Sequence, residues 1–497
     1  MDDFSREAKT VNLSNATLDR LPAHMARPRY DRSGLTPGIV HIGLGNFHRA
    51  HQAWYLHRLM QDGLAMDWGI IGAGVRAGDA VMREKLKAQD CLTSLIELDP
   101  AGQRIEITGA MIDFLPVEED NAALIRQMSD PAIRIVSLTV TEGGYYLDPT
   151  TGEFDATHDD ILHDAASPRS PRTAFGAMVA ALANRRAAGH APFTPLSCDN
   201  LQGNGDILKR VVLGLADLSD PDLAHWIKTQ ARFPNSMVDC IVPATTPEVL
   251  AHARALGLED AAPVTHENFR QWVIEDAFCD GRPPFEQAGV TITDDVHSYE
   301  TMKLRILNGG HQLLANAGEI LGVPTIADCM ADPQISAFCN KVQREEIAPH
   351  VQAVPGMTAE AYIEQVSARF ANPEIRDTTR RVAFDGSSRH AGFLLPTLRD
   401  RLHQGLDVEG LALAEALWAR MCSGQREDGG DIAPNDPFWQ DLTAKAQTAR
   451  KTPVAWLDLP VYSEVAQDAA FAGHFVRWLE RLWQEGCRET LAAYCAG

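Results

Sequence analysis

The chain lacks the features that would place it in a membrane or direct it out of the cell. No uninterrupted apolar stretch in its 497 residues approaches the ~18 residues that a membrane-spanning helix requires. Its first residues, MDDFSREAKTVNLSN, show no basic end followed by an apolar run, which an export signal requires. We therefore expect a cytoplasmic protein without a membrane partner.

Paired cysteines and excess basic residues are also missing. Nine cysteines, an odd number, are scattered without a C-x-x-C pair, which argues against a disulfide framework and against a cysteine zinc site. There are 45 Lys and Arg residues against 67 Asp and Glu residues, giving a formal net charge of -22. Because this charge repels phosphate backbones and anionic surfaces, we do not expect a nucleic-acid partner.

The pattern of apolar residues predicts two domains. Short apolar runs alternate with helical patterns in the first part of the chain, which predicts an α/β fold with a mainly parallel, doubly wound sheet. After turn residues at 281–296 the pattern becomes mostly helical, so we place the domains at 1–295 and 296–497. The predicted strands are 38–43, 68–73, 92–98, 104–107, 133–140 and 193–197, and the predicted helices include 51–61, 122–128 and 173–185.

A glycine-containing turn follows the first predicted strand. In HIGLGNFHRAH, Gly43 and Gly45 stand between a strand and a helix, where glycines allow the backbone to approach a dinucleotide pyrophosphate. Asn46 and Phe47 complete the predicted cofactor loop. The third glycine of the usual pattern is replaced by His48, so a purely structural turn remains an alternative. The nearby histidines could be imagined as zinc ligands, but no cysteine or carboxylate cluster completes a metal site.

Two further segments are predicted to contact a cofactor. Asp79, after the second strand, is the best candidate for an acid that grips the adenosine ribose hydroxyls. Its charge would repel a 2′-phosphate and favours NAD, whereas Arg76 leaves NADP as an alternative. Thr141 and Glu142 begin TEGGYY after another strand, and this turn should lie near the nicotinamide end of the cleft.

The segment 298–314, SYETMKLRILNGGHQLL, predicts a helix with a polar face. At about 100° per residue the polar side chains share one side, although a solvated face is the common meaning of such a pattern. Gly309 and Gly310 are costly in mid-helix and indicate that something approaches the backbone closely. The residues of the polar face are Lys303, Asn308, His311 and Glu300.

Several separated motifs together resemble one family, the polyol-specific long-chain dehydrogenases and reductases, and within it most closely the mannitol 2-dehydrogenases. The resemblance covers most of the chain and implies a metal-independent enzyme. It also implies a Rossmann-type dinucleotide-binding domain followed by a largely helical substrate-binding and catalytic domain. The motifs, in chain order, are HIGLGNFHRAHQA, IVSLTVTEGGYY, SCDNLQGNG, FPNSMVD, QWVIEDAFCDGRPP, MKLRILNGGH and DGSSR.

The resemblance implies roles for individual residues. Lys303 would be the general base that takes the hydroxyl proton while hydride leaves carbon for the nicotinamide, which requires a pKa lowered towards the working pH. Asn200 and Asn308 resemble two amides that stabilise the developing alkoxide. The other residues carried over are His311, expected to bond a substrate hydroxyl, Glu300, expected to pass the proton to solvent, and Asp239, Arg381 and Arg389, expected to bind the remaining hydroxyls.

Structural roles remain as alternatives for some of these residues. Asn200 could shape a turn, Asp239 could cap one, and one of Arg380 and Arg381 could be solvated. Arg389 stands where the family's mannitol enzymes carry a lysine, which leaves the polyol open.

The leading hypothesis is NAD-dependent interconversion of D-mannitol and D-fructose, or of D-arabinitol and D-xylulose, by a monomer or small homo-oligomer. Gly78, where these enzymes can carry an acid, weakens the case against NADP. A hexuronate reductase of the fructuronate type is the alternative within the family. A non-catalytic NAD-binding sensor and a zinc-dependent polyol dehydrogenase are alternatives of other classes.

Overall fold

The computed structural model describes residues 10–148 and 151–497, apart from the side chain of Glu142. The chain divides into two compact units, Met1–His297 and Ser298–Gly497. Within the described ranges, no helix combines the length and the apolar character needed to span a bilayer.

The first unit contains all the named strands of the described ranges. Five of them, in the order β6-β3-β2-β7-β8, form a sheet in which every pair of neighbours is parallel. The strands are β1 (Val11–Asn12), β2 (Pro37–Ile42), β3 (Gly69–Ala73), β4 (Thr93–Leu98), β5 (Arg104–Thr108), β6 (Met111–Phe114), β7 (Ile135–Leu138), β8 (Thr194–Ser197), β9 (Ser236–Asp239), β10 (Leu258–Glu259), β11 (Val264–Glu267), β12 (Gln271–Glu275) and β13 (Thr291–Thr293).

Helices cover both faces of this parallel sheet. On one face Val40 and Val136 pack with residues of α4, α6 and α7, and on the other face Ile39 and Ile135 pack with residues of α2. The predicted doubly wound, Rossmann-type fold is therefore confirmed. The helices of this unit are α1 (Asn46–Ala50), α2 (Gln52–Gln61), α3 (Asp79–Lys87), α4 (Ala122–Ser129), α5 (Asp159–Ala166), α6 (Ala174–Ala188), α7 (Asn204–Ser219), α8 (Pro221–Gln230) and α9 (Pro247–Ala255).

The predicted strands 92–98 and 104–107 lie outside the parallel sheet. They form β4 and β5, which pair antiparallel with each other, while β11 pairs with β4 in a separate three-stranded sheet. β4 and β5 pair antiparallel because the connection 99–103 between them is short, whereas a parallel crossover needs about a dozen residues. A third sheet has the order β13-β12-β9.

The second unit is helical, as predicted. Its centre is α18, whose apolar side chains are buried along the whole helix and which packs against α11 and α20. The helices, beginning with one that crosses the division between the units, are α10 (Val296–Met302), α11 (Gly309–Leu321), α12 (Ile326–Ala331), α13 (Pro333–Val342), α14 (Ala359–Phe370), α15 (Thr379–Val382), α16 (Gly386–Phe393), α17 (Leu395–His403), α18 (Glu409–Met421), α19 (Trp439–Ala449), α20 (Ala469–Gln484) and α21 (Cys487–Ala496).

Candidate active site

The two glycines of the first turn have different reasons to be glycine. Gly43 has a φ of +94°, and a Cβ atom there would lie 2.1 Å from the carbonyl oxygen of Thr139. The fold itself therefore requires Gly43. Gly45 has an ordinary φ of -74°, and a Cβ atom there would meet no atom of the protein within 4 Å. Packing thus does not require a glycine at position 45, whereas close approach of a ligand would.

His41, near the end of β2, contacts the backbone of this turn. Its Nε2 lies 3.2 Å from the Gly43 carbonyl oxygen, which also accepts a hydrogen bond from the Thr139 hydroxyl at 2.6 Å. Because a carbonyl only accepts hydrogen bonds, the contact of His41 with Gly43 is a hydrogen bond when the ring proton is on Nε2. Burial lowers the pKa of His41 to about 3, so the ring is neutral. His48, in place of the third glycine, stacks on His41 with ring centroids 3.4 Å apart.

The loop histidines therefore support the turn. In residues 10–148 and 151–497, no group of three or more His, Cys, Asp or Glu side chains is arranged to hold a metal ion. The other predicted loop residues also make contacts inside the first unit. The Asn46 amide donates to the Pro243 carbonyl and to the Thr245 hydroxyl, both at 2.9 Å, and the Phe47 ring stacks on His51.

Asp79 is the first residue of α3, after the carboxyl end of β3. Its Oδ2 accepts hydrogen bonds from the backbone N–H groups of Val75 and Arg76, at 3.0 and 2.9 Å. One carboxylate oxygen thus fixes the β3–α3 turn. The side chain of Arg76 is exposed.

Four of the predicted site residues follow neighbouring strands of the parallel sheet. Since the carboxyl ends of parallel strands meet at one edge, the structure brings these residues to the same edge. β3 lies on one side of β2 and β7 on the other, so the edge includes the topological switch point where α/β proteins bind ligands. The residues are Gly43 after β2, Asp79 after β3, Thr141 after β7 and Asn200 after β8.

The remaining predicted residues of the first unit are placed differently. Asp239 is the buried last residue of β9, outside the parallel sheet, and pairs in register with Gln271. Glu142 begins a 3₁₀ turn, Glu142–Tyr145, but its side chain lies outside the described part of the chain. Its cofactor role stays a prediction.

In the second unit, the predicted helix 298–314 is interrupted. α10 ends at Met302, a π-helical segment extends over Lys303–Asn308, and α11 begins at Gly309. The angles predicted at 100° per residue are therefore wrong across this segment. In a π-helix the hydrogen bonds join residues five apart, so Lys303 and Asn308 come closer to one side of the helix than predicted.

The polar face of this segment is buried. Glu300, Lys303 and Asn308 are only 5%, 7% and 8% exposed, so the alternative of a solvated face is wrong. π-Helical turns are rare in proteins, and those that occur are often found at functional sites. The arrangement places an amine, an amide and a carboxylate on one short, buried, irregular helical segment.

Gly309 and Gly310 lie close to side chains of the same unit. A Cβ atom at Gly310 would lie 2.4 Å from Nε2 of Gln343, and this amide donates to the Ile306 carbonyl of the π-helical segment at 2.7 Å. At Gly309 the closest atom would be Leu394 Cδ2, at 3.3 Å. Gly310 therefore makes room for Gln343, so a side chain of the protein itself makes the close approach that the sequence predicted at this position.

His311 has unused hydrogen-bonding capacity. Its ring stacks on Phe370 with centroids 4.3 Å apart, and its buried Nε2 has no hydrogen-bond partner among the described residues. Burial lowers the pKa of His311 to about 4, so the imidazole is neutral near pH 7. Charged groups also influence this pKa. The Asp377 carboxylate raises it, and the guanidinium groups of Arg381, Arg369 and Arg389 lower it.

The predicted arginines are partly engaged by protein groups. Arg381 binds the Asp377 carboxylate through Nε and Nη2, at 2.6 and 2.5 Å. Arg389 donates from Nη1 to the Val382 carbonyl at 2.6 Å. Arg380 lies 3.8 Å from the buried carboxylate of Glu319. Of the two neighbouring arginines, Arg381 is the more solvated, since its side chain is 62% exposed against 37% for Arg380.

Arg369, at the end of α14, was missed by the sequence reasoning. It is 7% exposed and belongs to the charged groups around His311. An arginine on the buried face of an amphipathic helix, within VSARF, was the available signal.

Comparison with known proteins follows the division of the chain into two units. The family model described as the mannitol dehydrogenase Rossmann domain matches residues 37–287, and the mannitol dehydrogenase C-terminal domain matches residues 295–483. The chain is 54% identical over 473 residues to mannitol 2-dehydrogenase of Cereibacter sphaeroides, covering 95% of this chain and 99% of that protein.

Two further relatives are named with different cofactors, NADP for one and NAD for the other. The chain is 40% identical over 459 residues to polyol:NADP oxidoreductase of Gluconobacter oxydans, covering 90% of this chain and 94% of that protein. Among solved structures, Pseudomonas fluorescens mannitol 2-dehydrogenase in a ternary complex with NAD and D-mannitol matches with a TM-score of 0.88 and 38% identity, covering 98% of this chain and 100% of that chain.

Proposed function

The chain belongs to the mannitol dehydrogenase family, and on this premise we propose that it catalyses the NAD-dependent interconversion of D-mannitol and D-fructose without a metal ion. The main support is 54% identity to a mannitol 2-dehydrogenase over 95% of the chain. D-arabinitol and D-xylulose remain the alternative polyol and ketose. In this proposal residues 1–295 bind the dinucleotide and residues 296–497 bind and activate the polyol.

The edge of the parallel sheet suits a dinucleotide. Gly45 stands in open space at the start of a helix, which permits the close approach that a pyrophosphate needs. Asp79 would bind the ribose hydroxyls and repel a 2′-phosphate. The loop 43–47, Thr141 and Glu142 would complete the site. When bound, the nicotinamide supplies the hydride acceptor.

The buried polar groups of the second unit suit proton removal from an alcohol. Lys303, which is buried, would take the hydroxyl proton, and for this its amine must be neutral part of the time. Glu300 would pass this proton to solvent. Asn308 and, by the family resemblance, Asn200 of the first unit would donate hydrogen bonds to the developing alkoxide.

The polyol would be oriented by its other hydroxyl groups. The neutral His311, with an unpartnered Nε2, can donate to or accept from a hydroxyl. Asp239, Arg381 and Arg389 would bind the remaining hydroxyls.

The test measures NADH formation with D-mannitol and NADH consumption with D-fructose, and repeats both with NADP cofactors. We expect the NAD reactions to proceed with the wild type. Lys303→Ala should nearly abolish turnover and leave NADH affinity little changed, while the exposed Lys451→Ala serves as a matched control with wild-type rates. Near-normal turnover of Lys303→Ala would exclude the proposed base, and NADH binding without turnover of any polyol would favour a sensor.

One observation favours a second candidate, a hexuronate reductase of the fructuronate type. The guanidinium groups of Arg369, Arg381 and Arg389 lower the pKa of His311, and positive charge at this position would favour a substrate with a carboxylate. Activity with fructuronate but with neither D-mannitol nor D-fructose would establish this candidate and exclude the first.

A further inference from the structure

Thr141 holds an unusual backbone conformation at the edge of the parallel sheet. Its φ is +70° and its ψ is 161°, a combination that is essentially restricted to glycine. For a β-branched residue a positive φ is a genuine outlier. Such a conformation persists only where the surroundings hold it in place.

The carboxylate of Asp199 holds this turn. Its Oδ1 accepts a hydrogen bond from the backbone N–H of Thr141 at 2.9 Å, and its Oδ2 accepts from the N–H of Val140 at 3.0 Å. The hydroxyl of Tyr145, at the end of the same turn, donates to Oδ2 at 2.7 Å. One carboxylate thus binds three donors from the segment 140–145.

Tyr145 is fixed as a donor. It is fully buried, and burial together with the charge of Asp199 raises its pKa well above the ordinary value. Since the tyrosine proton is used towards Asp199, the Ser197 hydroxyl, 2.6 Å away, donates to the tyrosine oxygen. Tyr145 therefore supports the turn and is not a candidate proton donor to substrate.

Asp199 is anchored from the other side by Asn204. The Asn204 amide donates to the carbonyl oxygens of Asp199 and Ser236, at 3.0 and 2.8 Å, and its oxygen accepts from the Ser236 N–H at 2.9 Å. The backbone of Asp199 is thereby fixed immediately before Asn200.

We infer that Asp199 is a positioning residue that holds the Thr141 turn and Asn200 in register at the carboxyl ends of β7 and β8. The inference rests on the proposed function, in which Thr141 contacts the cofactor and Asn200 contacts the reacting oxygen. Asp199 itself needs no contact with either ligand to act in this way.

The test is a double-mutant cycle of Asp199→Asn with Thr141→Gly. In Asp199→Asn the side-chain amide keeps one acceptor oxygen, but its NH₂ group faces backbone donors and cannot accept their hydrogen bonds. We therefore expect the KM for NAD to rise about ten-fold and kcat to fall. Glycine adopts a positive φ without strain. In the Thr141→Gly background the same change should therefore raise the KM by less than about three-fold. The exposed Asp217→Asn serves as the matched control.

Amide hydrogen exchange gives a readout that does not depend on catalysis. Asp199→Asn should accelerate exchange at Val140 and Thr141, whereas Asp217→Asn should not. If Asp199→Asn does not fold, Tyr145→Phe removes one donor with little change in volume and should shift the KM for NAD about two- to five-fold in the same direction.

Two outcomes would overturn the inference: a wild-type KM, kcat and exchange rate in Asp199→Asn, or an equal loss in both Thr141 backgrounds. A wild type that binds no NADH would instead contradict the proposed function, and the exchange experiment would still decide the role of Asp199.

Discussion

Gly309 and Gly310 form a matched pair that tests how the π-helical segment is held. Replacing either glycine by alanine should gain about 1 kcal/mol of helix propensity. At Gly309 the new Cβ atom would meet Leu394 Cδ2 at 3.3 Å, and a small movement of this flexible side chain relieves the contact. At Gly310 it would meet Gln343 Nε2 at 2.4 Å, so the amide must move.

The cost at Gly310 follows from what the Gln343 amide does. Its displacement breaks the 2.7 Å hydrogen bond to the Ile306 carbonyl and leaves buried polar groups without partners, at a cost of roughly 1–3 kcal/mol. Overpacking adds roughly 1–3 kcal/mol. After subtracting the gain in helix propensity, we expect Gly310→Ala to lower the free energy of unfolding by roughly 1–5 kcal/mol. We expect Gly309→Ala to change it by at most about 1 kcal/mol in either direction.

Urea unfolding of both variants and of Gln343→Ala measures these values, and kcat shows whether Lys303 and Asn308 keep their register. Gln343→Ala removes the group that the new methyl meets, so Gly310→Ala should lose at least half of its effect in that background. An undiminished effect there, or a Gly310→Ala protein as stable as Gly309→Ala, would refute the assignment of Gly310 to the Gln343 contact.

Other predictions concern the cofactor turn, a buried acid and metal ions. Gly45→Ala should fold normally but bind NADH at least about ten-fold more weakly in a fluorescence titration, whereas Gly43→Ala should fail to give folded protein by circular dichroism. Burial raises the pKa of Glu346 from 4.5 to about 7. The stability contributed by its neutral form is therefore complete below pH 4.5 and is lost as the pH rises through 7, by up to about 3 kcal/mol. Urea unfolding across this pH range should show the loss in the wild type and not in Glu346→Gln. Dialysis against EDTA should leave the rate of D-mannitol oxidation unchanged, and a loss that zinc restores would contradict metal independence.

The sequence predicted the fold class because local periodicity determines it. Alternating strands and helices gave the doubly wound sheet except for its edge strand β6, which was not predicted. Most of the predicted strand and helix bounds lie within a few residues of those observed. The strands of the two three-stranded sheets were harder to predict from the sequence. Of these, β9, β11, β12 and β13 were not predicted, and the pairing of β4 depends on β11, about 170 residues away in the chain and invisible to a local pattern.

The sequence predicted that polar groups share the segment 300–308, but it did not predict their geometry. Spacing gave Lys303 and Asn308 one polar face, but a constant 100° per residue cannot describe a π-helical segment. That segment is held by Gln343, a residue distant in sequence, so neither the burial of the face nor the reason for Gly310 could be predicted. The backbone conformation of Thr141 likewise depends on Asp199, which follows a different strand, β8.

The second unit contains two π-helical segments, Lys303–Asn308 and Gln343–Ile347. They constrain the number of residues that this part of the chain can have. Their hydrogen bonds join residues five apart instead of four, so each segment contains one residue more than the matching α-helix. Deleting one residue would therefore restore the α-helical pattern and rotate all following side chains by about 100°. Gln343 begins one segment and binds the Ile306 carbonyl of the other, so a deletion in either would separate them. Single-residue deletions should therefore be far more damaging within these segments than in the exposed turns of the same unit.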